Sequence, residues 1–172
     1  MAISIMQQRQ ALCNWLRQFK WLFFVTLTFR LPCWGGRGLK HGRRLLFHMA
    51  NRTEGTVYAF MAEEWFRSGE SIHIHGLIGG ARLDDKYRPW WEWWKQHYGI
   101  SWWRVYNPKL GAGWYVTKYI LKQGAQLGDW DFFVERPRKK LDIRTQIEYT
   151  QRQGRIFSER GDSDIHPLSC LW

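Results

Sequence analysis

The stretch TVYAFMAEEWFRSGESIHIHGLI, residues 56–78, decides the fold. Thr56 to Phe66 and Ser71 to Ile78 are rich in β-branched and aromatic residues, and both read as strands. Arg67-Ser68-Gly69-Glu70 between them is a hairpin turn signal. With Ser68-Gly69 as a two-residue turn, Glu64 falls directly opposite His73. Alternate side chains of a strand share a face, so His73, His75 and Glu64 point one way and Glu63 points the other.

Upstream of the hairpin, Leu12, Trp15, Leu16 and Phe19 recur at helical spacing and predict a helix over residues 5–19. Trp21 to Phe29 reads as a buried strand, ended by Pro32. Pro32 to Arg44 holds four Gly and four basic residues and reads as a loop, leading into a short helix around Arg43 to Ala50. Downstream, Gly79-Gly80 ends the second hairpin strand, and Asp84-Asp85 or Pro89 starts a helix. That helix places Trp90, Trp91, Trp93 and Trp94 on an arc of about 160°, which suits packing on a sheet. Ile100 to Tyr106 reads as a strand, in which Trp102 and Trp103 must face opposite sides. Gly113 to Gln123 reads as a helix with Gly124 as its C-cap, and Asp131 to Glu135 as a last strand. The expected fold is therefore α+β, with a central antiparallel sheet flanked by helices. Residues 1–135 form the expected domain. Residues 136–172 form a basic C-terminal extension, packed on that domain or continuous with it.

The chain has 172 residues, enough for one domain with its own core. It carries 26 Lys and Arg against 15 Asp and Glu, a net charge of +11, which points to a polyanionic partner and most simply to nucleic acid. Its three cysteines, Cys13, Cys33 and Cys170, have no C-x-x-C spacing, which argues against a disulfide scaffold or a four-thiolate zinc site. The longest apolar run, Trp21 to Phe29, is far short of the roughly 20 residues that span a bilayer. No leader pattern opens the chain. A cytoplasmic protein that does not enter a membrane is the expectation.

Two constellations carry chemistry. His73 and His75, ~7 Å apart along the strand, can converge on one divalent ion, and Glu64 across the hairpin supplies a third donor. An imidazole pair with a carboxylate and open positions suits Mg²⁺ or Mn²⁺ that must also bind a phosphate oxygen. On the helix over 113–123, Tyr115, Lys118, Tyr119 and Lys122 fall within one stripe. A phenol is a poor nucleophile until cations stabilise the phenolate, and both lysines are placed to do so. In the loop, Arg37, Lys40, Arg43 and Arg44 are candidates for holding phosphates, with Trp34 for stacking on a base.

Phe24-Val25-Thr26-Leu27-Thr28-Phe29, then His73-Ile74-His75, then Tyr115 to Lys122 follow one another in a fixed order. This order resembles the three-motif signature of the HUH endonucleases, which include the initiators of rolling-circle replication. The resemblance spans residues 21–124. It implies that His73, His75 and Glu64 hold the metal. It also implies that Tyr119 or Tyr115 attacks a DNA phosphate and stays linked to the 5′ end, with Lys118 or Lys122 as partner. Tyrosines placed after the histidines are similar to initiators rather than to conjugative relaxases. Single-strand transposases share the order but usually carry Gln where Lys stands here. The implied function is nicking and rejoining of single-stranded or hairpin DNA at an origin. No phosphate-cradling G-x-x-x-x-G-K loop is present, so a separate helicase is expected alongside a polymerase. Two other readings stay open: a non-catalytic binding module for single-stranded nucleic acid, and a nuclease that uses water.

Overall fold

The computed structural model describes residues 4–80, 82–110 and 129–138. The helix expected over 113–123 and nearly all of the basic extension lie outside the described residues. All described residues except Arg138 fall in one unit, Met1–Pro137. The elements are α1 (Ile5–Leu16), β1 (Phe23–Leu27), α2 (Arg37–Thr53), β2 (Val57–Trp65), β3 (Ile72–Gly80), α3 (Arg88–His97), β4 (Ser101–Val105), a single 3-10 turn (Pro108–Leu110) and β5 (Trp130–Glu135).

The five strands form one sheet in the order β4-β1-β3-β2-β5, and every neighbouring pair is antiparallel. The run β1-α2-β2-β3-α3-β4 is thus two interlocked split β-α-β units, and β5 extends the β2 edge. The architecture is the expected α+β sheet with flanking helices. Both crossover helices lie on the same face. Phe23, Val25, Leu27, Ile74 and Ile78 point from the sheet into Leu45, Leu46 and Met49 of α2 and Trp90 and Trp94 of α3. Each large apolar side chain so buried contributes about 1.5–3 kcal/mol. Trp91 and Trp93 pack against the same cluster, so the tryptophan arc of α3 faces the sheet as its spacing predicts. Trp103 is buried there, while its neighbour Trp102 is exposed on the other face. On that other face α1 covers only part of the sheet, through Leu16 against Phe60, Ala62, Leu77 and Trp21.

Two boundaries differ from the sequence reading for one shared reason. α1 stops at Leu16, not Phe19, and β1 starts at Phe23, not Trp21. The indole N–H of Trp21 donates to the Leu16 carbonyl at 2.6 Å, satisfying a carbonyl left open at the helix end. The chain turns there so that Phe19 folds back onto Trp15, Trp21 and Phe132.

A larger correction concerns Pro32 to Arg44. Arg37 to Arg44 are not a loop but the first two turns of α2, a 17-residue helix. Its glycines read as loop, yet Gly38 and Gly42 are i and i+4 and face the sheet. A β-carbon at Gly42 would lie 2.5 Å from Met61 Sδ, and one at Gly38 would lie 2.5 Å from Ile72 Cδ1. A side chain at Gly42 would force Met61 to shift, and one at Gly38 would force Ile72 and the Glu63 carboxylate to shift. The helical propensity lost at each, about 1 kcal/mol, is the cost of that contact. No helix among the described residues is long and apolar enough to cross a membrane.

Candidate metal centre

The hairpin has the register read from its sequence: Glu64 pairs with His73, and Ala62 with His75. The turn differs in detail. Phe66 N–H donates to the Ser71 carbonyl, and Gly69 N–H closes a tighter turn on the Phe66 carbonyl, so four residues form the loop rather than two. Gly69 takes φ +71°, a left-handed conformation that suits glycine. Adding one pair of opposed residues leaves the register unchanged.

His73, His75 and Glu64 converge on the face opposite α2 and α3. Glu64 Oε2 lies 3.1 Å from His73 Nε2 and 3.2 Å from His75 Nε2. One ligand atom from each residue lies within 4.8 Å of the others, the only such group among the described residues. His75 is 4% exposed and Glu64 9%. The rings are wedged in place, Phe66 against His73 at 4.6 Å and Phe24 nearly parallel to His75 at 6.2 Å.

β1 adds a contact that the sequence alone does not reveal. Thr26 pairs with His75 across β1 and β3. Its hydroxyl lies 3.1 Å from His75 Nδ1. When that ring proton sits on Nδ1 and is donated to Thr26, the lone pair of Nε2 points at Glu64 Oε2. Two lone pairs at that distance repel unless a proton or a metal ion lies between them. A neutral imidazole oriented through its second nitrogen, beside a carboxylate, is how a histidine metal ligand is held. The donor set therefore fits a divalent cation, with two nitrogens and one oxygen from the protein. A hard or borderline ion such as Mn²⁺ or Mg²⁺ would keep positions open for other oxygen ligands.

Thr26→Val removes the orienting hydroxyl at nearly constant volume. It is expected to weaken Mn²⁺ binding by about 10–100-fold, the usual loss for an outer partner of a ligand. Thr26→Ser is expected to restore most of it. Calorimetric titration with MnCl₂ reads both, and an unchanged affinity in the valine variant would remove Thr26 from the site.

The other sequence candidates are distributed as follows. Tyr115, Lys118, Tyr119 and Lys122 lie outside the described residues. Arg37, Lys40, Arg43 and Arg44 are exposed, but on α2, which covers the face opposite the triad. Arg43 is committed to an ion pair with Glu135 of β5. Trp34 is exposed and its ring lies 6.1 Å from that of Trp65, at the end of the sheet where α2 begins. Glu63 does face away from the triad. Its carboxylate accepts from Gly36 N–H at 2.6 Å and Leu39 N–H at 2.8 Å, which caps α2. Burial pushes its pKa up, against the opposing effect of those amides.

An α+β domain with a two-histidine, one-carboxylate group on its central hairpin is the class that fold and site define. Comparison of the chain with protein-family models, with curated proteins and with solved structures finds no match.

Proposed function

We propose that the triad is the metal centre of a replication initiator that nicks and rejoins single-stranded DNA through a tyrosine. The observation that carries this reading is the convergence of Glu64, His73 and His75 on one carboxylate oxygen. It is supported by the net charge of +11 and by the order of motifs along the chain. When bound, a divalent ion supplies charge that polarises a phosphate oxygen.

The chain's own residues do the rest. His73, His75 and Glu64 hold the ion, and Thr26 fixes the ring of His75. The phenol oxygen of Tyr119 or Tyr115 forms a bond to phosphorus, and the bond from phosphorus to the 3′ oxygen breaks. The phenol proton leaves and the departing oxygen takes up a proton, giving a free 3′ hydroxyl and a 5′-phosphotyrosine link. Lys118 or Lys122 stabilises the phenolate and the phosphate charge. One phosphodiester replaces another, so reversal rejoins the strand without an external energy source. Such an enzyme works in the cytoplasm on origin DNA, with a separate helicase and polymerase. A single-strand transposase would share the same chemistry.

End-labelled single-stranded DNA incubated with the protein and Mn²⁺ tests the reading. Wild type is expected to give a covalent adduct that survives denaturing electrophoresis and vanishes with chelator. The double variant Tyr115→Phe, Tyr119→Phe is expected to give none. Cleavage without an adduct would identify water as the nucleophile. Binding with neither product would leave a non-catalytic nucleic-acid-binding module.

A further inference from the structure

We infer that the cleft between the end of β1, the start of α2 and the end of α3 seats one nucleotide of the strand that reaches the metal centre. This rests on the reading of single-stranded DNA as the substrate. The cleft holds about 240 Å³, and its wall includes Phe29, Arg30, Arg37, His41, His97 and Tyr98. Among the described residues no carboxylate lines it. Two guanidinium groups in a wall with no acid among those residues select an anion, and Arg matches a phosphate through its planar fork of donors.

Each element positions its part. Arg30 N–H donates to the Tyr98 carbonyl at 2.7 Å, and one guanidinium nitrogen donates to the Lys95 carbonyl at 3.0 Å. This fixes the side chain while leaving other donors of the fork for a ligand. Arg37 and His41 stand one turn apart on the same side of α2. Gly99 lets the end of α3 close against β1, since a β-carbon there would lie 2.7 Å from the Thr28 carbonyl oxygen.

The wall is as aromatic as it is basic. His41 lies 4.6 Å from Tyr98 and 5.7 Å from Phe29, centroid to centroid, so three rings make one continuous surface. A base has a π-face for such a surface, and stacking is worth ~1–3 kcal/mol per base. The second observation is polar. His41 Nδ1 is buried and has no hydrogen-bond partner among the described residues. A buried polar atom left so costs about 1–3 kcal/mol. Burial, then Arg44 and Arg37, hold the His41 pKa below its ordinary value, which keeps the ring neutral and able to donate from one nitrogen and accept at the other.

The cleft is also stitched to the metal centre. Cys33, in its wall, accepts the Ile72 N–H at 3.0 Å through its carbonyl and donates its own N–H to Ser71 Oγ at 2.9 Å. Ile72 directly precedes the ligand His73. The basic, aromatic cleft and the strand that carries the ligands are thus tied together through the backbone at one end of the sheet.

Two measurements test this, both with metal chelated so that no chemistry intervenes. The first is the salt dependence of binding to a fluorescent 15-nucleotide single strand. For the double variant Arg30→Ala, Arg37→Ala the slope of log affinity against log salt is expected to fall by ~0.7, the loss of one phosphate contact. The charge-matched control Arg52→Ala, Arg88→Ala, at exposed sites away from the cleft, is expected to change it less. Equal changes in the two would overturn the seat. The second measurement compares thymidine 5′-monophosphate with inorganic phosphate on the unaltered protein by NMR titration. The nucleotide is expected to bind at least tenfold more tightly, shifting the signals of His41 and Tyr98. Equal affinity, or shifts elsewhere, would overturn it. If wild type forms no adduct with DNA but the nucleotide still binds here, the seat stands and the strand-transfer reading falls.

Discussion

The variant His75→Ala is expected to lose Mn²⁺ binding by more than about 100-fold. Removal of an outer partner of a ligand already costs 10–100-fold, and this change removes the ligand itself. Only His73 and Glu64 would remain, and two donors do not outcompete water for a hard ion that takes six oxygens as readily. The site offers no replacement among the described residues, because the triad is the one group there with ligand spacing. The strand is expected to persist. His75 is held by pairing on both sides, with Thr26 and with Ala62, and those backbone bonds do not depend on the ring. Calorimetry with MnCl₂, alongside circular dichroism to follow the sheet, separates loss of the ion from loss of the fold. In the adduct assay the same variant should behave like wild type in chelator. Undiminished Mn²⁺ affinity in His75→Ala would mean that the ion binds elsewhere, and the proposed centre would be lost with it.

The legibility of this site in the sequence is uneven, and the reason is the range of the contacts involved. The triad was readable because a hairpin is local. Once the turn is placed between Trp65 and Ile72, period-2 alternation fixes which residues share a face, and a change of loop length by an opposed pair alters nothing. The tryptophans of α3 were readable for the same reason, since a helix states its buried face in its own spacing. Thr26 was not. Its contact with His75 depends on β1 lying beside β3, a pairing between strands separated by α2 and β2. The sequence offered only two threonines of equal parity, Thr26 and Thr28, in an otherwise apolar strand. The start of α2 is hidden from the sequence for a related reason. Helix starts are recognised by a capping side chain just before them, and here the residue at that place is Gly36, at φ +77°, with no side chain to cap anything. The cap comes from Glu63, on β2, beyond the far end of the helix it caps.

That borrowed cap predicts a second large effect. Glu63→Ala is expected to destabilise the fold by roughly 2–3 kcal/mol, because it strands two amides, those of Gly36 and Leu39, in a place water reaches poorly. The magnitude should depend on pH, and the sign follows from the direction of the shift. Burial is the largest influence on Glu63 and raises its pKa above the ordinary 4.5; the amides of Gly36 and Leu39 pull it down, and the charge of Asp129 adds to the rise. A carboxyl that holds its proton more tightly in the folded chain than in the unfolded one makes the fold lose stability as pH rises from about 4.5 through the raised value. Alanine does not titrate. The gap between wild type and variant should therefore be widest near pH 4.5, narrow across the mildly acid range, and stay constant above it. Urea unfolding of both proteins at intervals from pH 4.5 to 7.5 measures this. A gap that widens with pH would mean that the amides outweigh burial and that Glu63 is bound as a preferred anion. Because Glu63 and Glu64 are consecutive on β2, one strand step fixes the start of α2 on one face and a metal ligand on the other. A loosened helix start should then also weaken the nucleotide seat at Arg37 and His41, and should do so more than it weakens Mn²⁺ binding at His73, His75 and Glu64, whose side chains lie on the other face of the sheet.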